Sequence, residues 1–301
     1  GAEGAAKKLV FNALKNKKHV VTANKALIAK YGDQLSKIAE KNNVNLEFEA
    51  AVCGGVPIIR SIKEGLIANK INRVYGIFNG TSNYILSTMD KENKNFSDVL
   101  TDAKKLGYAE SNPLSDLNGD DVAAKLKILS SLCFNSFIDH NIHVEGINFI
   151  DKLDIDNANK LGYKIKLLGV SEIINNRVYQ RVHPTLIEKS SYIASIDGVL
   201  NAVIVDGKPV GQNVIQGEGA GPEATTSALI SDISSILRGN IKFPFSISSR
   251  ERKKLSYKDI SERFFSAYLR FEVLDKPGVL SNITNIFSKN KVSIKRLIQN
   301  P

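Results

Sequence analysis

The 301-residue chain has no tryptophan, a single methionine and only two cysteines, Cys53 and Cys133. So few cysteines exclude a disulfide scaffold and a structural zinc site, and they fit a reduced, cytoplasmic protein. No apolar run approaches the ~18 residues that cross a bilayer, and the opening "GAEGAAKKLV" lacks the profile of a signal peptide. The four histidines form no metal-ligand pattern: His140 and His143 have no partners at suitable spacing, and His183 precedes Pro184 in a strand. Also missing are an initiator methionine and an opening strand with a G-x-G-x-x-G turn. The chain is therefore expected to begin inside a larger domain.

Hydrophobic residues at 43% and charged residues at 24% give the balance of a soluble globular protein. The net charge of +10 raises the question of nucleic acid, but the lysines are scattered among Asp, Glu and Asn. No basic block is interleaved with aromatics. A solvated basic surface that attracts anionic ligands is the better reading, with neither nucleic acid nor a membrane as partner.

Residues 5–16 read as a lysine-rich amphipathic helix and "HVVTA" (19–23) as a buried strand. Asn24 can cap a helix through "KALIAKYGDQLSKIAEKNN", and "NLEFEAAV" alternates Leu46, Phe48, Ala50 and Val52 against Glu47 and Glu49. With no hairpin signal between them, these elements need crossover connections and a parallel sheet. The fold class is α/β, with a partial Rossmann-type doubly wound domain over residues 1–50. The strands "RVYGIF", "YKIKLLGVSEI", "RVYQRVHPTLI" and "NAVIVDGKPVGQNVIQ", the last turning at "DGKP", predict an α+β domain with a mixed sheet over 51–215. A glycine-rich turn, "QGEGAGPE" (216–223), leads into an apolar helix that completes the first domain by about residue 240. Residues 241–262, charged and serine-rich, read as a linker. The tail over 263–301 reads as strand, turn, helix, strand.

The stretch "GYAESNPLSDLNGDDVAAKLKIL" (107–129) carries the densest chemistry. From Gly119 it reads as a helix whose Val122, Leu126, Ile128, Leu129 and Leu132 share one side at ~100° per residue. Asp120, Lys127, Ser130 and Ser131 point away from that side. Asp121 and Lys125 fall inside the apolar sector. A surface pair at this spacing contributes only a few tenths of a kcal/mol. Burying one costs several kcal/mol per ion before the attraction is counted. Such pairs mark sites where desolvation and a partner tune a lysine for proton transfer.

Lys25 stands in the first turn of a helix, where the dipole disfavours a cation. It is either solvent-facing or aimed at an anionic or carbonyl ligand from the carboxyl end of a parallel strand. "EAAVCGGVP" joins strand to helix through Gly54 and Gly55, which permit positive φ or close backbone approach. No histidine lies near Cys53 in sequence to activate it as a nucleophile, so it reads as a packed small side chain.

Together, "HVVTANKALIA", "EAAVCGGVPII", "IFNGTSNYIL", the 107–129 stretch, "LGYKIKLLGV" and "QGEGAGPEATTSALISDI" resemble homoserine dehydrogenase, in that family's order and over roughly residues 1 to 240. The tail "FEVLDKPGVLSNITNIFSKNKVSI" is similar to the first half of an ACT domain, a small βαβ-containing module that binds amino acids. The resemblance implies reversible reduction of L-aspartate 4-semialdehyde to L-homoserine with NADPH or NADH, on the route to threonine, methionine and isoleucine.

It further implies Lys125 as the proton-transfer lysine, Asp121 as its partner carboxylate, Lys25 as a second active-site lysine, and Glu110 and Asp116 as holders of the substrate's amino group. Asn24, Lys25 and Gly219 would contact the cofactor, Gly219 at its nicotinamide end. Glu49, with the backbones of Val52, Gly54 and Val56, would hold a monovalent cation such as Na+. The large sheet would mediate a homodimer or homotetramer, and threonine is the regulator an ACT module would take. Ser111-Asn112 departs from the Pro-Asp frequent in the family, and the absent front end leaves NAD against NADP undecided. Two other readings stay open: an aspartate-semialdehyde-type dehydrogenase with a thioester at Cys53 or Cys133, and a non-catalytic amino-acid-sensing protein.

Overall fold

The computed structural model describes residues 1–240 and 243–299. Its first elements are α1 (Ala5–Lys15), β1 (Val20–Val21), α2 (Lys25–Asn42) and β2 (Leu46–Glu47), in the predicted alternation. β1 and β2 pair in parallel, Val20 opposite Leu46, with α2 as the crossover. Asn24 caps α2 by accepting from the Leu27 N–H at 3.1 Å, and Asn43 closes it in a left-handed conformation. β2 is shorter than its alternating pattern. The Glu49 N–H donates to the Asp232 carboxylate at 2.9 Å rather than to a ladder, and Glu49–Ala51 turns as a 3-10 helix.

α3 (Ile58–Arg60) runs through a π-helical turn toward β3 (Lys70–Ile77), α4 (Gly80–Glu92), α5 (Phe96–Lys105), α6 (Leu114–Leu117) and α7 (Asp120–Cys133). β4 (His143–Val144), α8 (Lys152–Lys160), β5 (Tyr163–Ile174), β6 (Arg177–Glu188), β7 (Leu200–Lys208), β8 (Gly211–Glu218) and α9 (Pro222–Leu237) follow. The mixed sheet is present, in the order β4-β6-β5-β3-β7-β8. The β4–β6 pair is parallel and the remaining pairs of that path are antiparallel. A short β9 (Ser256–Tyr257) lies parallel beside β6. Period-two alternation sends Val74, Phe78, Val203 and Val205 into one core with Val122, Leu126 and Leu129 of α7. Ile77, Leu168, Val170, Ile187, Ile193 and Ile204 form a second cluster.

The segment after α9 departs from the linker reading. Phe245 is buried against Phe48 and Phe137. A Cβ on Gly32 of α2 would lie 2.7 Å from its ring, so glycine makes room for it. Arg252 donates to Asp33 and Glu40 of α2, both at 2.9 Å. Residues 243–254 are thus strapped to α2 by Phe245, Arg252 and Ser249, whose N–H and hydroxyl donate to Glu40 at 2.9 and 2.6 Å, anchors that leave no periodic signal in sequence. In the tail, α10 (Val279–Lys289) forms as expected. The two predicted strands flanking it have no ladder among the described residues, because a strand is stabilised by a hydrogen-bonded neighbour and none lies beside them. No helix among the described residues is long and apolar enough to cross a membrane.

Candidate active site

α7 is built from alanine, leucine and isoleucine with two aspartates in its first turn, a composition that suits both helix propensity and the dipole. Asp121 and Lys125 are buried, as their place on the wheel requires. Ser130 and Ser131 contradict the same wheel, since both are buried rather than outward. Their hydroxyls donate to the Leu126 and Lys127 carbonyls at 2.6 and 2.8 Å, which lets a small polar group sit in a core.

Lys125 Nζ lies 2.8 Å from Asp121 Oδ2 and donates to the Phe78 carbonyl at 2.6 Å. Lys25 Nζ approaches the other oxygen, Asp121 Oδ1, at 2.8 Å, from the start of α2. Phe78 and Asn79 occupy the turn from β3 into α4. Asn79 Oδ1 accepts from the Ser82 N–H at 2.8 Å, capping α4, while Nδ2 donates to Asp116 Oδ1 at 2.8 Å and Asp121 Oδ2 at 2.9 Å. Burial pushes the Asp121 carboxyl up, but Lys125, Lys25 and Asn79 outweigh it and hold it at about 2. Burial likewise opposes the Lys125 charge, and Asp121 overcomes it, leaving the ammonium above its ordinary value. Asp116 is pushed up by burial, which Asn79 only partly offsets.

Beside this cluster lies a cavity of about 210 Å3 whose lining includes Lys25, Cys53, Gly54, Lys125, Gly219 and Ala220. Two glycine turns meet there. Cys53 and Gly54 both have positive φ, and a Cβ on Gly54 would sit 2.8 Å from the Gly219 carbonyl. A Cβ on Gly219 would lie 2.1 Å from the side chain of Asn201, which is fully buried with neither amide atom partnered. The starts of α2 and α9 border the cavity through Lys25, Ala220 and Thr225. Two helix N-termini and two ammoniums make its wall electropositive. This donor set fits the reacting end of a nicotinamide dinucleotide beside a carbonyl substrate.

The homoserine dehydrogenase family model matches residues 57–234, and the model of that family's NAD-binding domain matches residues 1–49. Homoserine dehydrogenase of Neisseria gonorrhoeae is 43% identical, over 99% of this chain and 70% of its own length. The chain belongs to the homoserine dehydrogenase family. The crystal structure of the Thiobacillus denitrificans homoserine dehydrogenase superposes with a TM-score of 0.91 at 39% identity, covering 100% of this chain and 71% of that one. A hyperthermophilic archaeal homoserine dehydrogenase in complex with NADPH matches 79% of this chain and 70% of its own, with a TM-score of 0.69 at 27% identity.

Among the residues that the family resemblance singles out, Lys125, Asp121, Lys25 and Asp116 come together, and Gly219 lines the adjoining cavity. Glu110 is exposed and takes no part in the hydrogen-bonded cluster. Asn24 uses its side-chain oxygen as the α2 cap and donates its amide to the Gly1 carbonyl at 3.2 Å. The buried Glu49 carboxylate accepts from the Ile59 and Arg60 N–H groups, both at 2.8 Å, and burial pushes it up to about 7. Val52, Gly54 and Val56 share the turn that follows, where the Val56 carbonyl accepts from the Ile58 N–H at 2.7 Å. No group of three or more His, Cys, Asp or Glu among the described residues could hold a metal ion.

The thioester reading is overturned. Cys53 and Cys133 are buried free thiols, burial pushes both up, Cys53 to about 11, and a protonated thiol is a poor nucleophile. Family membership likewise removes the non-catalytic sensor. Asn79, the Phe78 carbonyl and Asn201 were missed from sequence. Only Asn79 carried a signal, as an Asn between a strand and a helix start, where caps are expected.

Proposed function

We propose that the chain catalyses the reversible NAD(P)-dependent reduction of L-aspartate 4-semialdehyde to L-homoserine. The observation that carries this reading is Lys125. It is buried, held protonated by Asp121, and bordered by a cavity, with two of its three N–H groups engaged by Asp121 and Phe78. Bound nicotinamide supplies the hydride chemistry, with Asn24, Lys25 and Gly219 as the residues that would hold it. Reduction builds negative charge on the carbonyl oxygen, and Lys125 offers its free N–H there, stabilising the charge and delivering the proton. In the reverse direction the same nitrogen takes the hydroxyl proton. Asp121 aims Lys125, and Lys25 balances the second Asp121 oxygen. Asp116 and Glu110 receive the α-ammonium of the substrate, a counter-charge that suits the half-buried Asp116 carboxyl already pushed upward.

Within the same proposal, residues 1–50 with 216–240 form the nucleotide-binding part and 51–215 the catalytic and dimerisation part. Residues 263–301 belong to an ACT-like module that takes threonine. Glu49 with the carbonyls of Val52, Gly54 and Val56 holds a monovalent cation, the large sheet joins two copies, and the enzyme works in the cytoplasm. The test follows NADPH absorbance with aspartate semialdehyde, and then homoserine oxidation, in the wild type and in Lys125→Ala. Turnover in the first that is lost in the second supports the proposal, and equal turnover in both sinks the role given to Lys125.

A further inference from the structure

One side chain touches both carboxylates to which the reaction reading assigns separate tasks. Asn79 Nδ2 reaches Asp116, read as the acceptor of the substrate ammonium, and Asp121, the acid that aims Lys125. The amide cannot turn over, because its oxygen is fixed by the Ser82 N–H at 2.8 Å, and a flip would face that oxygen toward two carboxylates. Its two N–H bonds are therefore each committed to a different acid. The neighbouring Phe78 carbonyl holds Lys125 Nζ at 2.6 Å. Two consecutive residues thus contact the lysine, its acid and the substrate's acid.

Resting on that reading, we propose that Asn79 is a positioning residue that couples the two subsites, holding Asp116 and Asp121 at a fixed separation so that a substrate docked on one is registered against the lysine aimed by the other. Two carboxylates so close repel each other, and a single neutral group with two donors holds both without adding charge. The other role open to Asn79 is that of a helix cap alone. Serine caps a helix about as well as asparagine, but its hydroxyl is shorter and carries one hydrogen, so it cannot bridge two acids.

Asn79→Ser separates the two roles. Under the proposal the α4 cap is kept, and the thermal midpoint drops modestly because Asp116 and Asp121 lose their shared donor. Homoserine binding by calorimetry, without cofactor, weakens about 10-fold, and kcat/KM falls about 100-fold as both the docked substrate and Lys125 lose register. In an Asp116→Asn background the same substitution costs under about 3-fold in binding, because one of the two bridged charges is already gone. Wild-type affinity and kcat/KM in Asn79→Ser, or the same penalty in both backgrounds, overturns the coupling. A wild-type chain that binds no homoserine overturns instead the reaction reading beneath it.

Discussion

Lys125 and Lys166 are matched in most respects. Each ammonium lies 2.8 Å from an aspartate, Asp121 or Asp197, and each donates to a backbone carbonyl at 2.6 Å, Phe78 or Ile196. Each is joined to an asparagine at or within the first turn of α4, Asn79 being its cap. Lys166 reaches Asn83 directly at 3.1 Å, and Lys125 reaches Asn79 through Asp121. They differ in what remains. An ammonium has three donors. Lys166 uses all three, on Asn83, Ile196 and Asp197, whereas Lys125 uses two and borders a cavity. The partners differ too. The Asp197 side chain is 41% exposed, so burial dominates and pushes Lys166 down, while Asp121 is buried with Lys125 and keeps it charged. Lys125 thus keeps a donor unfilled at a cavity, whereas Lys166 is a latch with all three filled.

The comparison breaks most directly at Lys125→Ala. Proton transfer and charge stabilisation by a placed group contribute about 100- to 10,000-fold, so turnover per folded molecule should fall by about 1,000-fold. The melting temperature should fall as well, because Lys25 and Asn79 only partly compensate the Asp121 charge left buried. A variant that keeps more than a tenth of its turnover would remove the distinction drawn between the two lysines.

The sequence made only one of these lysines visible. Asp121 and Lys125 are four residues apart on one helix, so a wheel exposes both at once. Lys166 alternates with Ile165 and Leu167 along β5 and reads as the solvated face of a strand. Its partners are 31 and 83 residues distant and come together only in the fold. The same limit hid the Arg252 strap and the bridge from Asn79 to Asp116. Most of the strand and helix order, the mixed sheet and the buried pair on α7 were legible because each is local or periodic. Ser130 and Ser131 misled because their hydroxyls donate back to their own helix and accept from Gln180 and the Ile138 N–H, which satisfies them inside the core.

Counting groups applies to acids as well. A carboxylate has about four lone-pair sites, and Glu49 receives two backbone N–H groups. Its raised value of about 7 against an ordinary 4.5 means that the unfolded chain gives up this proton first. The contribution of Glu49 to stability should therefore fall as pH rises from about 4.5 to 7, by about 3 kcal/mol, and level off above that. His140, pushed down by burial to about 4, works the other way over much of this window, so the slope is read as the difference between wild type and Glu49→Gln. Thermal melts at pH 5.5 and 8 measure the slope. Added NaCl, with choline chloride as the ionic-strength control, should recover part of the loss at pH 8. Equal slopes with both salts would leave Glu49 a helix-capping acid and remove it from the cation proposal.

Lys166→Met tests the latch itself. It strips a donor from two buried acceptors, the Asn83 oxygen and the Ile196 carbonyl, while Asp197 keeps its access to water. The expected loss is about 2 kcal/mol of stability in urea titration. Turnover per folded molecule should hold at the wild-type level, because no contact of Lys166 reaches the cavity. A fall in turnover at constant stability would instead place this lysine in the reaction.

The smallest effect belongs to Lys25, whose pairing with Asp121 resembles that of Lys125 in distance and differs in exposure. Its side chain is 43% exposed, against 10% for Lys125. Half-solvated pairs contribute about 1 kcal/mol or less and are screened by salt. Lys25→Ala should therefore lower kcat/KM only about 5-fold or less, since Lys125 and Asn79 still hold Asp121. Raising the ionic strength should narrow the gap between Lys25→Ala and wild type, because salt weakens in the wild type the contribution that the variant lacks. The deficit of Lys125→Ala should be insensitive to salt, its pair being shielded from ions. If both deficits respond alike, burial does not rank the two lysines, and the place of Lys25 at the cofactor, rather than its pairing with Asp121, carries its effect.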